Sequence, residues 1–320
     1  MEIREQVATV WERGDPDRLV GVKDLDCDVA VFQRVFHRTS KPNPNGVTDG
    51  VSLELLRAVQ AQGVAVVVDL DDDLGAIDPR HGGYAALEGC EPIVKEACRI
   101  ADLVTVSTPA LAKRYGGVVI PNGIPRAYLG ITADRHDPPM IGWTGSPLTH
   151  VGDLAEVGTT IRDLCASGKA TFRAMGNAAD LTLHQLGIPD QEKIPGADLV
   201  SLDYARAYAE LDIAIVPLRW SRFNAGKSWL KMLEAAALGV PVVGSPSPEN
   251  ARLGAGMIAE SLKDWRVCLT KLCESSDLRL SLAAAGRAAA SGWTIEGRIA
   301  PMLADVWAAV RSGTVQAVTA

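Results

Sequence analysis

Positive charge is in short supply: 32 Lys and Arg face 39 Asp and Glu, leaving a formal net charge of −7 over 320 residues. That balance argues against generic nucleic-acid binding, which needs a basic footprint. Aromatic residues make up only 5%, yet 47% of the chain is hydrophobic, so it is globular rather than disordered. No apolar run approaches the roughly 20 residues that a membrane-spanning helix needs. The opening MEIREQVATVWERGD has no basic segment followed by an apolar core, so no secretory leader is expected there. Six cysteines (Cys27, Cys90, Cys98, Cys165, Cys268, Cys273) form no CxxC and no paired metal spacing. They read as buried, reduced thiols of a cytoplasmic protein. The absence of GxGxxG disfavours a dinucleotide dehydrogenase.

What is present is an alternation of short apolar strands and helices, long enough for two domains. Strands are expected over 29–34, 64–70, 103–107 and 118–121; the first 26 residues leave a fifth open. The run VAVVVDL is apolar on both faces, the mark of an interior parallel strand. Ser52 is expected to cap a helix over 53–62, and Thr108-Pro109 to open another after one over 91–100. HRTSKPNPNG, residues 37–46, is a loop by composition. A second series begins with a strand in MIGWTGS, followed by a helix from about residue 150. Strands over 171–175 and 212–218 and a helix over 204–211 come next. Then a helix is expected over 226–238, stopped by Gly239 and Pro241 ahead of a strand over 240–244. The last third is helical: 262–273, 278–290 and 295–310.

The helix over 226–238 carries most of the chemistry. It is apolar almost all round, yet Lys227, Lys231 and Glu234 fall within roughly 60° of one another at ~100° per residue. Backbone N–H groups at Gly226, Lys227 and Ser228 in its first turn, beside a cation, suit a phosphate. The competing reading is a solvated edge with Lys231 and Glu234 as an ordinary pair. Trp143, Gly145 and Ser146 form a strand-end turn that would make an anion nest. Arg219, Arg222 and Asn224 follow another strand's carboxyl end. Asp71, Asp72 and Asp73 follow a third, where open parallel sheets bind ligands. Those carboxylates could serve as a solvated loop and cap, as a contact to an acceptor, or, less well, as metal ligands. His81, in a PRHGGY loop, is a further cleft candidate.

The string KSWLKMLEAAALGVPVVGS resembles the donor-binding signature of GT-B glycosyltransferases of the retaining family 4 type. That signature is two Glu separated by seven residues, then an Ala-rich helix, Gly and Pro-Val-Val. Glu234 matches the second Glu, which in the family holds the ribose hydroxyls of a nucleotide-sugar. The first, which faces the sugar, is Gly226 here, and a KSxxKxxE variant also occurs. DLDDDL and GWTGSxxxH resemble a bacterial and phage subset whose Asp-Asp strand faces the interdomain cleft. ADLVTVSTPALAKRY and VIPNGIP resemble the end of a GT-B N-terminal domain. In the commoner pattern an Arg and then a Lys follow the Gly of the turn. Ser146 and, loosely, His150 stand there instead, which puts the burden of the diphosphate on Lys227.

The resemblance implies an α/β protein of GT-B architecture, with two Rossmann-like parallel-sheet domains facing a cleft and the N-terminal one reduced. Residues 1–126 would form the acceptor side, 127–139 a linker and 140–294 the donor domain. Residues 295–312 would be a helix crossing back, with Trp293, Leu303 and Trp307 as docking side chains, and a loose tail over 313–320. The implied activity is transfer of a hexose-like sugar, with retention and without a metal. Lys227, Asp71, Asp72 and His81 would be catalytic. Glu234, Ser228, Gly226, Asn224, Lys231, Gly145, Ser146, Trp143 and Arg222 would bind the donor. No cofactor is implied, only a nucleotide-sugar such as a UDP- or GDP-sugar as substrate. The acceptor could be a glycan, lipid, protein or small molecule. Two alternatives stand beside this: a sugar-nucleotide epimerase or hydrolase on the same fold, and an inactive sugar-nucleotide binder or partner protein.

Overall fold

The structure is a computed structural model that describes residues 9–12, 15–22, 25–33, 53–196 and 202–312. The expected loop over 37–46, the cap at Ser52 and the tail over 313–320 lie outside those residues. The chain opens with an antiparallel hairpin of β1 (Thr9–Glu12) and β2 (Asp15–Val22). A four-stranded parallel sheet follows in the order β3 (Val29–Gln33), β4 (Ala65–Leu70), β5 (Leu103–Val106), β6 (Val118–Val119). Its crossovers are α1 (Leu53–Gln60), then α2 (Tyr84–Leu87) and α3 (Glu91–Ile100), then α4 (Pro109–Tyr115). Val66, Val67 and Val68 are fully buried, so β4 is covered on both faces. Thr108 caps α4 by accepting from the Leu111 amide, with Pro109 at the first helical position.

The second sheet is larger, six parallel strands in the order β12-β11-β10-β7-β8-β9. In chain order they are β7 (Met140–Thr144), β8 (Thr171–Gly176), β9 (Glu192–Pro195), β10 (Ile213–Val216), β11 (Val242–Gly244) and β12 (Met257–Ile258). Helices α5 (Thr160–Ala166), α6 (Ala179–Leu186) and α7 (Leu202–Ala209) alternate with them, and α8 (Arg222–Ala225) and α9 (Leu230–Ala237) lie between β10 and β11. After β11 come α10 (Pro248–Arg252), α11 (Leu262–Glu274), α12 (Ser276–Ser291) and α13 (Ala300–Arg311). No helix among the described residues is long and apolar enough to cross a membrane.

Four expectations need correcting. The helix over 226–238 is two helices: Ser221 caps α8, Gly226 closes it, and α9 starts only at Leu230. No helix starts at His150. Gly152 and Gly158 take positive φ of 80° and 55° and interrupt the chain, leaving one short 3₁₀ turn before α5. Trp293 packs on Trp229 of the second sheet's unit, with ring centroids 4.7 Å apart, rather than on the first. It is Val306, Trp307 and Val310 of α13 that cover the first sheet, against Val29, Val67 and Leu103. Of the cysteines, Cys90 and Cys268 are buried but Cys27 is exposed.

Candidate active site

The carboxyl ends of both sheets face one another, and the segment from Val216 to α9 carries the second unit's side of that contact. α8 is only four residues long because its closing Gly226 docks on the first unit. A Cβ at Gly226 would stand 3.2 Å from Leu111 Cδ2 and 3.4 Å from Asp73 Cβ. A side chain there would be tight against Leu111, which would have to give by a few tenths of an ångström. The Thr108 hydroxyl donates to the Gly226 carbonyl at 3.1 Å. Next, the Asn122 amide donates to Ser228 Oγ at 2.8 Å, and the Trp229 indole N–H donates to the Asn122 carbonyl at 2.9 Å. These bonds pin the start of α9 to the loop after β6.

The phosphate-binding amides expected at Gly226 and Lys227 are already committed: they donate to the Phe223 and Asn224 carbonyls, each at 3.1 Å. Ser228 Oγ accepts from the Asn122 amide, which leaves its O–H to donate elsewhere. Asn224 is occupied, donating through Nδ2 to Asp153 Oδ1 and to the Arg219 carbonyl, both at 2.8 Å. The loop arginines tie the two units together. Arg219 meets Asp78 at 2.9 Å; Arg222 meets Glu91 at 3.3 Å and Asp73 at 3.4 Å, and donates to the Gly75 carbonyl.

The three adjacent aspartates have separate surroundings. Asp73 is buried under Tyr115, whose hydroxyl donates at 2.6 Å, and Arg114, whose Nε lies 3.0 Å away. It is structural, not a cleft group. Asp72 reaches across to Lys227 Nζ at 2.8 Å. The Asp71 carbonyl accepts from Ser107. Lys227 also lies 4.4 Å from the Phe223 ring centroid, and His81 meets that ring edge-on at 5.8 Å. His81, Asp72 and Lys227 are therefore neighbours. Burial, then the Lys227 charge, depress the His81 pKa. No group of three or more His, Cys, Asp and Glu among the described residues forms a metal cluster.

Around Lys231 and Glu234 the polar stripe becomes a site. The Tyr204 hydroxyl donates to Glu234 at 2.9 Å. Burial pushes the Glu234 carboxyl up to about 7, against the opposing pull of Tyr204 and Lys231. Lys231 Nζ lies 3.0 Å from His150 Nε2, and His150 Nδ1 lies 2.9 Å from Asp153 Oδ2. An ammonium only donates, so Nε2 accepts and the imidazole proton sits on Nδ1, pointing at Asp153. Burial first, then Lys227, lowers the Lys231 pKa to about 8; Asp153, Glu234 and Asp72 pull the other way. Burial and Lys231 push His150 down, which keeps it neutral. Trp143 is a buried wall rather than a contact surface: it meets His150 edge-on at 5.7 Å, and Lys231 Nζ lies 5.5 Å from its centroid.

The turn at Gly145 is not a free nest. Its amide donates to the Met175 carbonyl at 2.9 Å, and the Ser146 hydroxyl accepts from Leu148 N at 3.3 Å. The turn presses backbone to backbone on Gly176, whose Cβ would collide with the Gly145 carbonyl. What the turn offers is a neighbour: a Cβ at Gly145 would stand 3.1 Å from Lys231 Nζ. Sequence reasoning missed His150 as a partner of Lys231, and missed Asp153 and Tyr204 altogether. The His150–Asp153 spacing directly after a Gly-rich strand end was the available signal.

No protein-family model matches the chain, and no curated protein sequence does. Solved structures do. HepE of Anabaena, in complex with UDP and glucose, has a TM-score of 0.57 at 17% identity, over 78% of this chain and 73% of that one. Sucrose-phosphate synthase from Thermosynechococcus elongatus has a TM-score of 0.61 at 12% identity, over 80% and 70%. The pneumococcal O-GlcNAc transferase GtfA, in complex with UDP and GlcNAc, has a TM-score of 0.55 at 15% identity, over 81% and 55%. The chain has the GT-B fold: two Rossmann-like parallel-sheet units facing a cleft.

Proposed function

We propose that the protein is a glycosyltransferase of the retaining, metal-independent type, moving a sugar from a nucleotide-sugar to an acceptor. Lys231 carries this reading: a half-buried cation lies against the Gly145 turn, beside a carboxylate, at the strand ends where this architecture binds ligands. In this reading Glu234 accepts the ribose hydroxyls. Lys231 and Lys227 neutralise the diphosphate, Lys227 exchanging Asp72 for phosphate oxygens. The bond between the diphosphate oxygen and the anomeric carbon breaks. The acceptor oxygen bonds to the same face, and its proton passes to the leaving phosphate. The chain contributes positioning and charge stabilisation. Asp72 and His81 line the opposite wall, where the acceptor would enter.

UDP-, GDP-, ADP- and dTDP-sugars, each tested by thermal shift and calorimetry against wild type and Glu234→Ala, check the proposal. One nucleotide class is expected to stabilise wild type and to leave the variant unmoved. No shift with any of them, or equal shifts in both proteins, would refute it. A second reading, a sugar-nucleotide binder without turnover, draws on Gly226, which stands where the family's sugar-facing Glu would be. Tight donor binding with neither transfer nor hydrolysis would favour it.

A further inference from the structure

We propose that His150 and Asp153 are positioning residues for the donor's diphosphate: they hold the Lys231 ammonium against the Gly145 turn and so replace a basic residue in the turn itself. The inference rests on the functional reading above for its ligand, but its geometry is independent of it. Lys231 is the second residue of α9, and helical side chains lean toward their helix's N-terminus. Here that means toward the end of β7. An unheld lysine has three donors and many rotamers. This one is fixed by a chain of contacts running inward from Nζ to His150 and on to Asp153.

The chain ends on a firm anchor. Asp153 is fully buried, yet its other oxygen accepts from the Arg219 amide at 2.9 Å and from Asn224 Nδ2 at 2.8 Å. A buried carboxylate with no cation in direct contact is costly unless its hydrogen bonds are complete. Here three donors converge on it: the His150 imidazole, the Arg219 amide just before α8, and Asn224 within α8. Asp153 therefore couples the 219–224 segment to the Lys231 ammonium through one imidazole. His150 takes a single N–H, and no other hydrogen-bond partner of Nζ exists among the described residues, so two donors remain for phosphate oxygens.

Charged groups reach Lys231 from every side. Lys227 lies four residues before it, ahead of α9; Glu234 follows a turn later, Asp72 stands across the cleft, and Asp153 lies behind His150. Of these, Glu234 and His150 also titrate away from their ordinary values. Asp153→Asn tests the relay with little change of shape. Its carbonyl oxygen can keep the Arg219 and Asn224 bonds, which turns its NH₂ toward His150. The imidazole proton then moves to Nε2 and opposes the ammonium, while a negative charge is lost. Both effects lower the Lys231 pKa.

The test uses the full chain as wild type, Asp153→Asn, His150→Ala and His150→Gln, the last retaining an acceptor for Nζ. Competitive acetylation across pH, read by peptide mass spectrometry, gives the titration of Lys231 without any ligand. Calorimetry with inorganic pyrophosphate and with UDP at pH 7 gives diphosphate affinity. In Asp153→Asn, Lys231 is expected to titrate about one unit below wild type. Pyrophosphate affinity is expected to fall about tenfold or more in Asp153→Asn and His150→Ala, the loss of one charge-assisted hydrogen bond, and to recover in His150→Gln. If Lys231 titrates identically in wild type and Asp153→Asn, the relay is absent and the inference falls, whatever the protein binds. If the titration shifts but all four proteins bind pyrophosphate alike, the held ammonium does not meet a diphosphate, and the inference falls on that ground. If wild type binds neither probe, the functional reading falls with it.

Discussion

Replacing Glu234 by Gln should stabilise the protein at alkaline pH while weakening donor binding. The carboxyl is pushed from 4.5 up to about 7 by burial. A group whose folded pKa is raised adds stability at pH values below its unfolded pKa, and that stability is lost as pH rises through the folded value. Wild type is therefore progressively penalised between about pH 4.5 and 7. The shift corresponds to about 3 kcal/mol at roughly 1.4 kcal/mol per unit; discounted for the part of the group that meets solvent, about 1–3 kcal/mol remains. Gln carries no charge, and its carbonyl can still accept from Tyr204. Urea unfolding at pH 8 should show the variant more stable by that amount, with most of the gain gone at pH 5. The same variant should lose about 10- to 100-fold in nucleotide-sugar affinity, because hydrogen bonds to a charged acceptor are worth about 1.5–3 kcal/mol. Equal pH dependence of stability in the two proteins would mean that Glu234 is not buried as described. Unchanged donor affinity would remove it from the ribose site.

Lys231→Met should lower kcat/KM more than Lys227→Met, by a further tenfold or so, since Lys227 is shared with Asp72 and Lys231 is not; steady-state kinetics with whichever nucleotide-sugar the screen selects decide the order. Activity should survive exhaustive chelation, and loss on EDTA treatment restored by Mn²⁺ or Mg²⁺ would make the carboxylates metal ligands. Tyr115→Phe removes a 2.6 Å hydrogen bond to the buried Asp73; it should cost about 1–3 kcal/mol of stability, read by urea unfolding.

The sheets were legible because their code is local. VAVVVDL, LVTVS and DIAIVPL are apolar on successive residues, and only a strand covered on both faces uses that pattern. Helix limits set by backbone chemistry were legible too. Thr108-Pro109 opens α4, and Gly239, at φ +71°, ends the segment after α9 as its left-handed cap. The division between α8 and α9 was not. Nothing in FNAGKSWLKM forbids one continuous helix. It is interrupted because Gly226 meets Leu111 and Asp73, and the Trp229 indole is drawn to Asn122, more than a hundred residues away in sequence. A helix register set by contacts between two units cannot be read from one segment.

The same limit applies to the two cations, of which the sequence singled out Lys227. In the sequence Lys227 and Lys231 are four residues apart and carry the same charge, so periodicity cannot rank them. The ranking comes from their partners. Asp72, at the carboxyl end of β4, takes Lys227. His150, in the loop after β7, takes Lys231. A carboxylate competes with phosphate for its lysine, because both are anions. A neutral imidazole does not; it occupies one N–H and leaves the charge unneutralised. On the proposed reading, the partner that looks weaker in a list of ion pairs is therefore the one that leaves a lysine free to meet a diphosphate, because burial keeps that histidine neutral.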